Sequence, residues 1–155
     1  MRSQLEVDVT TMIARPERVV RSQFGDVAHH QRTAVHRGVA FEVLDDDGTT
    51  CWYRQTSRLG PLPVHQEMRL VRSVDGPLIN TVAAGPLTGA TLTFIVDQDG
   101  PERSVVTALL RAELRGLQAI AAPAVRANAR RGLVRALAED KADLESGGYA
   151  STDAR

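Results

Sequence analysis

Near the end of the chain, Leu133, Leu137, Asp140 and Leu144 recur at i, i+4, i+7 and i+11, the spacing that keeps side chains on one face of a helix. A helix with an apolar face must bury it against another element, and almost everything before it reads as strand. The stripe also contains a carboxylate. A buried Asp is costly unless an Arg, hydrogen-bond donors or a metal ion compensates its charge, so Asp140 needs a partner from elsewhere in the chain.

The preceding pattern alternates with period two. Leu5, Val7 and Val9 alternate with Glu6, Asp8 and Thr10, which predicts a first strand. Pro16 and Glu17 open a short helix running to about Phe24, because proline tolerates the first helical position and an acid suits the positive end of the dipole. Strands are then expected from Val39 to Val43, from Thr50 to Ser57, from His65 to Arg72, from Leu78 to Ala83, from Ala90 to Val96 and from Val105 to Arg115. Turn signals separate them: Asp45-Asp46-Asp47-Gly48, Gly60-Pro61-Leu62-Pro63, Asp75-Gly76-Pro77, Gly85-Pro86 and Asp97-Gln98-Asp99-Gly100-Pro101. The acidic run Asp45-Asp46-Asp47 lacks the later Glu of a calcium loop and reads as a solvated turn. Links this short favour an antiparallel meander. After Gly116 the pattern becomes helical, with Pro123 starting or kinking the long helix. The expected domain is one unit over residues 1–146, with a loose tail over 147–155.

The fold class is therefore α+β: a curved antiparallel sheet of about seven strands wrapped around one long C-terminal helix, with a ligand cavity between them. Nineteen basic and nineteen acidic residues cancel, so no overall field draws the chain to nucleic acid or an anionic membrane, and no stretch approaches membrane-spanning length. The expected partner is a small hydrophobic or aromatic ligand, with homodimerisation left open. Cys51 is the only cysteine, which excludes a disulfide framework and a cysteine-based zinc or iron–sulfur site, and it reads as structural. With no apolar leader at the N-terminus, the expected compartment is the cytoplasm.

This element order, with the Pro16-Glu17-Arg18-Val19 helix start and the closing helix, resembles the START-like helix-grip superfamily. That superfamily includes polyketide cyclases and aromatases, lipid carriers, plant hydrophobic-ligand binders and the catalytic domains of Rieske-type oxygenases. Two segments carry a more local resemblance. Asp26-Val27-Ala28-His29 followed by Val35-His36-Arg37-Gly38 is similar to the Asp-x-x-His-x(4)-His segment that supplies both iron-binding histidines of Rieske oxygenase catalytic domains. Glu139-Asp140-Lys141 with Leu144-Glu145 looks like the helix segment supplying their carboxylate ligand.

The resemblance implies a candidate metal set of His29 or His30, His36 and Asp140, two histidines and one carboxylate around Fe(II). Six residues separate His29 from His36 and five separate His30 from it, against four in the family pattern, so the histidine pair stays open. The Rieske cluster domain is absent, so electrons for iron chemistry come from a partner, from the substrate, or not at all, which leaves a redox-neutral or substrate-oxidising reaction beside hydroxylation. Asp26 is expected either to orient the imidazole of His29 by hydrogen bonding or to cap a short helix. The alternatives for Asp140 are an ion pair with an Arg of the sheet and a carboxylate that reaches solvent at the end of the cavity.

Further candidates lie in the strands. Trp52 and Arg54 share one face and Cys51 and Tyr53 the other. Trp52 is a candidate cavity residue, weighed against ordinary core packing. Tyr53 and Arg54 are candidates to position a reactive chain and move protons, and His65 is a candidate acid or base, weighed against an exposed edge position. The leading functional expectation is a stand-alone mononuclear non-heme iron enzyme acting on an aromatic or polyketide-like molecule. The alternatives are a metal-free polyketide cyclase or aromatase and a non-catalytic carrier of a hydrophobic ligand.

Overall fold

A computed structural model describes residues 1–59 and 61–149. The alternating N-terminal segment forms β1 (Arg2–Ile13), followed by the short helices α1 (Glu17–Phe24) and α2 (Val27–Thr33). Six strands come next: β2 (Ala40–Asp46), β3 (Thr50–Leu59), β4 (Leu62–Val71), β5 (Leu78–Ala84), β6 (Thr91–Gln98) and β7 (Ser104–Arg115). One helical turn, α3 (Leu117–Ile120), leads into α4 (Ala122–Glu145). The seven strands form one sheet in the order β1-β7-β6-β5-β4-β3-β2, with every neighbouring pair antiparallel. The α+β architecture expected from the sequence is the one observed.

β2 to β7 are a simple meander, and only β1 leaves sequence order, pairing along its whole length with β7 from Arg2↔Arg115 to Ile13↔Ser104. The turns behave as their chemistry dictates. At the β2–β3 hairpin, Gly48 takes φ 89° and the Asp47 carboxylate accepts from the backbone N–H groups of Thr49 and Thr50 at 2.8 and 2.7 Å. Asp46 accepts a forked pair of bonds from Arg72 at 2.7 and 2.8 Å, so the acidic run is a turn tied to the sheet.

Both edges of the sheet are protected. β1 turns its free edge toward α4, and Arg126, Arg130 and Lys141 of that helix donate to the carbonyls of Glu6, Asp8 and Met12 at 3.2, 2.9 and 2.5 Å. At the opposite edge, the Gln31 side chain of α2 accepts from the Val43 N–H of β2 at 2.9 Å. Edge carbonyls and N–H groups that could pair with another chain are thereby occupied. The core lies between the concave sheet face and α4, where Leu5, Val7, Leu70, Leu78, Val106 and Leu114 meet Leu133, Leu137 and Leu144.

One boundary differs from expectation. Tyr149, placed by the sequence in a loose tail, is 6% exposed, and its hydroxyl lies 2.8 Å from Ser22 Oγ. The ordered unit therefore extends past residue 146, and residues 150–155 of that tail lie outside the described residues. Among the described residues, no helix is long and apolar enough to cross a membrane.

Candidate functional site

The helical period decides which side chains meet. On α4, Asp140 and Asp143 are three residues apart and share a face, and Asp140 is 3% exposed. On α2, His29 and His30 are adjacent, so their side chains leave the helix about 100° apart and reach different carboxylates. His29 Nε2 lies 2.8 Å from Asp143 Oδ2, and His30 Nε2 lies 3.0 Å from Asp140 Oδ1. Gln23 of α1, fully buried, ties the two pairs together, its Nε2 donating to Asp140 Oδ1 at 3.0 Å and to Asp143 Oδ2 at 3.2 Å.

His36 joins this group from the loop between α2 and β2. Ala34 turns the chain through the left-handed region at φ 48°, and the Arg37 N–H donates to Glu139 Oε2 at 2.6 Å, pinning the loop to α4. His36 Nε2 comes within 3.5 Å of Asp140 Oδ1, and its ring stacks on that of His30 with centroids 5.3 Å apart. Its Nδ1 is buried without a hydrogen-bond partner.

The two imidazoles are electrostatically unlike. His30 Nδ1 faces the carbonyl of Asp26 at 2.8 Å, and a carbonyl only accepts, so Nδ1 carries a proton. Burial acts to lower the pKa of His30, but the hydrogen bond to Asp140 and that carboxylate's charge outweigh it, leaving His30 above the usual 6.5. For His36 burial wins over the attraction of Asp140, and the neighbouring charge of His30 adds to it, so its pKa falls below 6.5. The two imidazoles beside this one carboxylate oxygen are thus pushed in opposite directions.

His30, His36 and Asp140 all face a cavity of about 270 Å³ between α4 and the sheet. Its walls are largely apolar, formed by Phe24, Val27, Phe41, Met68, Phe94 and Leu133. This is near the lower end of the roughly 300–1,000 Å³ of small-molecule pockets, enough for one or two fused rings. A second polar element lies in the cavity: the Tyr53 hydroxyl donates to Asn80 Oδ1 at 2.8 Å, and burial raises the Tyr53 pKa well above 10, so it stays a donor.

The other sequence candidates stand apart. Tyr53 is 5% exposed and faces the cavity, so its strand neighbours Trp52 and Arg54 must point away from it. Trp52 is 38% exposed on the outer sheet face, under the guanidinium of Arg69, and is a correction to the expected cavity residue. Arg54 pairs with Glu42 at 2.9 Å in solvent and cannot position a bound molecule. His65 is exposed on β4, its Nδ1 2.9 Å from Thr56 Oγ1, outside the cavity. Asp26 caps α2, accepting from the His29 N–H at 2.9 Å, and it is its carbonyl that orients His30. His29 is engaged by Asp143 and does not join the cavity cluster. Gln23, Asn80 and Asp143 are partners the sequence did not single out. Only Asp143 carried a signal, standing three residues after Asp140.

The donor atoms of His30, His36 and Asp140 lie within 4.8 Å of one another. Two ligands each about 2.1 Å from a metal at a right angle are about 3.0 Å apart, which the separations of 3.0 and 3.5 Å from Asp140 Oδ1 approach. The Nδ1–H of His30, held by a backbone carbonyl, leaves Nε2 directed at the cluster, the usual second bond of a ligating histidine. Two of the three separations thus suit a divalent ion, and His30, His36 and Asp140 are the residues that would hold one.

No protein-family model matches the chain, and no curated protein matches it by sequence. Solved structures do match by shape. The ZhuI aromatase/cyclase from Streptomyces sp. R1128 superposes with a TM-score of 0.80 at 13% identity, covering 97% of this chain and 99% of that one. A START superfamily protein from Mycobacterium smegmatis gives 0.76 at 15% identity over 91% and 97% of the two chains. Norcoclaurine synthase from Thalictrum flavum, in complex with dopamine and hydroxybenzaldehyde, gives 0.73 at 14% identity over 97% and 91%. On these near full-length matches and the sheet wrapped on α4, the chain has the START-like helix-grip fold.

Proposed function

We propose that this protein is a small-molecule enzyme that binds an aromatic or polyketide-like substrate in the apolar cavity and transforms it by proton transfer at His30, His36 and Asp140. The convergence of those three groups on the cavity wall carries the reading. Fold neighbours that are aromatase/cyclases, or a synthase holding two small aromatic molecules, support it.

In a ring closure of the aldol type, neutral His36 takes a proton from the carbon between two carbonyls. The carbanion forms a bond to another carbonyl carbon of the same molecule. The resulting alkoxide takes that proton back from His36, whose positive charge Asp140 balances while His30 holds Asp140 in place, and loss of water leaves the closed ring unsaturated. Apolar walls hold the chain folded and exclude bulk water, and the Tyr53 hydroxyl, its proton given to Asn80 Oδ1, can accept from a hydroxyl of the substrate. The test is turnover of a synthetic poly-β-ketone thioester followed by mass spectrometry. Loss of cyclised product in His36→Ala, with an unchanged circular-dichroism spectrum, supports the reading, and equal turnover in the variant refutes it.

A second reading is favoured by one observation, the fit of the three donor atoms to a single ion. Here His30, His36 and Asp140 would hold Fe(II), which supplies redox or Lewis-acid chemistry to a substrate in the same cavity. The chain's own residues would still bind and orient the substrate. Metal analysis after anaerobic iron(II) reconstitution distinguishes the two: stoichiometric iron that disappears in His36→Ala supports this reading, and a wild type that stays empty refutes it.

A further inference from the structure

Apart from the histidine cluster, the cavity wall holds a second buried polar pair, Tyr53 on β3 and Asn80 on β5, each 5% exposed. Both stand on the inner sheet face among apolar neighbours: Met68 is opposite Tyr53 in the register of β3 and β4, and Leu92 is opposite Asn80 in that of β5 and β6. The Tyr53 hydroxyl donates to Asn80 Oδ1 at 2.8 Å, and Asn80 Nδ2 lies 3.4 Å from the Leu92 carbonyl, which turns the amide oxygen toward the tyrosine. A phenol has one proton to give and lone pairs to receive. With the proton spent on Asn80, what Tyr53 Oη has left for a bound molecule is an acceptor. Giving the proton to a ligand carbonyl instead would strand Asn80 Oδ1 without its donor, and a buried unpaired oxygen is costly.

Phe41 connects this pair to the histidines. Its ring centroid lies 5.9 Å from that of Tyr53, 5.9 Å from that of His36 and 5.8 Å from that of His30, and it lines the same cavity. A flat molecule packed on Phe41 is thereby within reach of the histidines and of Tyr53 together. We propose that the substrate carries a ring hydroxyl, as a phenol or an enol, that donates to Tyr53 Oη, so that the Tyr53–Asn80 pair selects hydroxylated ring systems and sets which part of the molecule faces His30, His36 and Asp140. The inference rests on the proposed function for the cavity and adds the hydrogen-bonding class of the substrate and the residue that reads it.

The experiment uses the full chain and three naphthalene probes: 2-naphthol, whose hydroxyl can donate, and 2-methoxynaphthalene and 2-acetylnaphthalene, which can only accept. Affinities are measured by probe fluorescence, and for the ketone by displacement of 2-naphthol, in wild type, Tyr53→Phe, Asn80→Leu and His36→Ala, each checked for an unchanged circular-dichroism spectrum. Wild type is expected to bind 2-naphthol roughly tenfold more tightly than the ether, the effect of one buried hydrogen bond. Tyr53→Phe should abolish that advantage by weakening 2-naphthol while the ether binds as before, and His36→Ala should keep it. Asn80→Leu frees the tyrosine proton, so the ketone should bind more tightly there and close part of its gap to 2-naphthol. Equal affinities in wild type, a preference that survives Tyr53→Phe, or no binding of any probe overturns the inference. Should Tyr53→Phe fail to fold, Asn80→Leu decides, and a ketone that gains nothing in it overturns the inference. Equal probe affinities together with loss of poly-β-ketone turnover in His36→Ala remove the hydroxyl site and keep the catalytic reading. The expected preference, with turnover untouched in His36→Ala, keeps the hydroxyl site and removes the catalytic reading alone.

Discussion

Replacing Asp140 by alanine separates a structural carboxylate from a functional one. Its Oδ1 accepts from Gln23 Nε2 and from His30 Nε2, each at 3.0 Å, and the residue is 3% exposed. Hydrogen bonds to a charged group contribute about 1.5–3 kcal/mol each, so losing both sets a ceiling of about 6 kcal/mol. Three effects reduce it. Gln23 Nε2 keeps Asp143 Oδ2 at 3.2 Å, His30 can release its Nε2 proton and become neutral, and the cost of holding a carboxylate out of water is removed. The expected net loss is about 2–3 kcal/mol, read from urea unfolding. The second half of the test is the double variant His30→Leu, Asp140→Leu, which extends the leucine stripe of α4 across both positions. Replacing both members of a buried pair by apolar groups is often neutral, so this protein should unfold within about 1 kcal/mol of wild type while turnover is lost. A loss under about 0.5 kcal/mol for Asp140→Ala refutes the partnership described for Asp140. A double variant at least as unstable as Asp140→Ala refutes the view that the pair is kept for chemistry.

Three further outcomes are expected. In nitrogen-detected NMR titrations, His30 should titrate above 6.5 and His36 below it, and Asp140→Asn should move both downward, since its charge raises each. A raised histidine contributes stability that is present below pH 6.5 and lost as pH rises through its folded value; lowered His36 does the reverse, its contribution present above 6.5 and lost as pH falls. The Cys51 thiol, buried and pushed up to about 11 chiefly by desolvation, should react with a disulfide reagent at pH 8 far more slowly in the native protein than in urea, and equal rates would contradict its burial. Tyr53→Phe removes the donor to Asn80 Oδ1 and should lower unfolding free energy by about 1–2 kcal/mol in calorimetric melts, with an unchanged melting temperature counting against that bond.

Much of the fold was legible because strand alternation and turn chemistry are local properties. Leu5, Val7 and Val9 alternate into the core as written, and Asp47-Gly48 makes the turn its residues favour. The position of Asp140 was legible for the same reason, since the period of a helix alone places it among leucines. Which histidine it meets was not. His29 and His30 are neighbours in sequence, and only the rotation of α2 against α4 assigns one to Asp143 and the other to Asp140. Alternation in β3 separated Trp52 and Arg54 from Cys51 and Tyr53, but each face offered one aromatic, so the inward face could not be read from β3 by itself. Gln23 was silent because a neutral amide in a short helix has no pattern until two carboxylates from the far end of the chain arrive at it.

The departure of β1 from sequence order has a kinetic side. β1 waits for β7, its partner about a hundred residues later, and the helix that follows β7 supplies Asp140 to histidines carried just after β1. Contacts this distant in sequence form slowly, since the loop between them must close before any stabilisation returns. The cluster at the cavity wall is therefore among the last things to assemble. Until α4 docks, His30 on α2 and His36 in the loop after it lack Asp140, and a ligand that requires the complete site would bind only chains that have finished folding, drawing the folding equilibrium toward them.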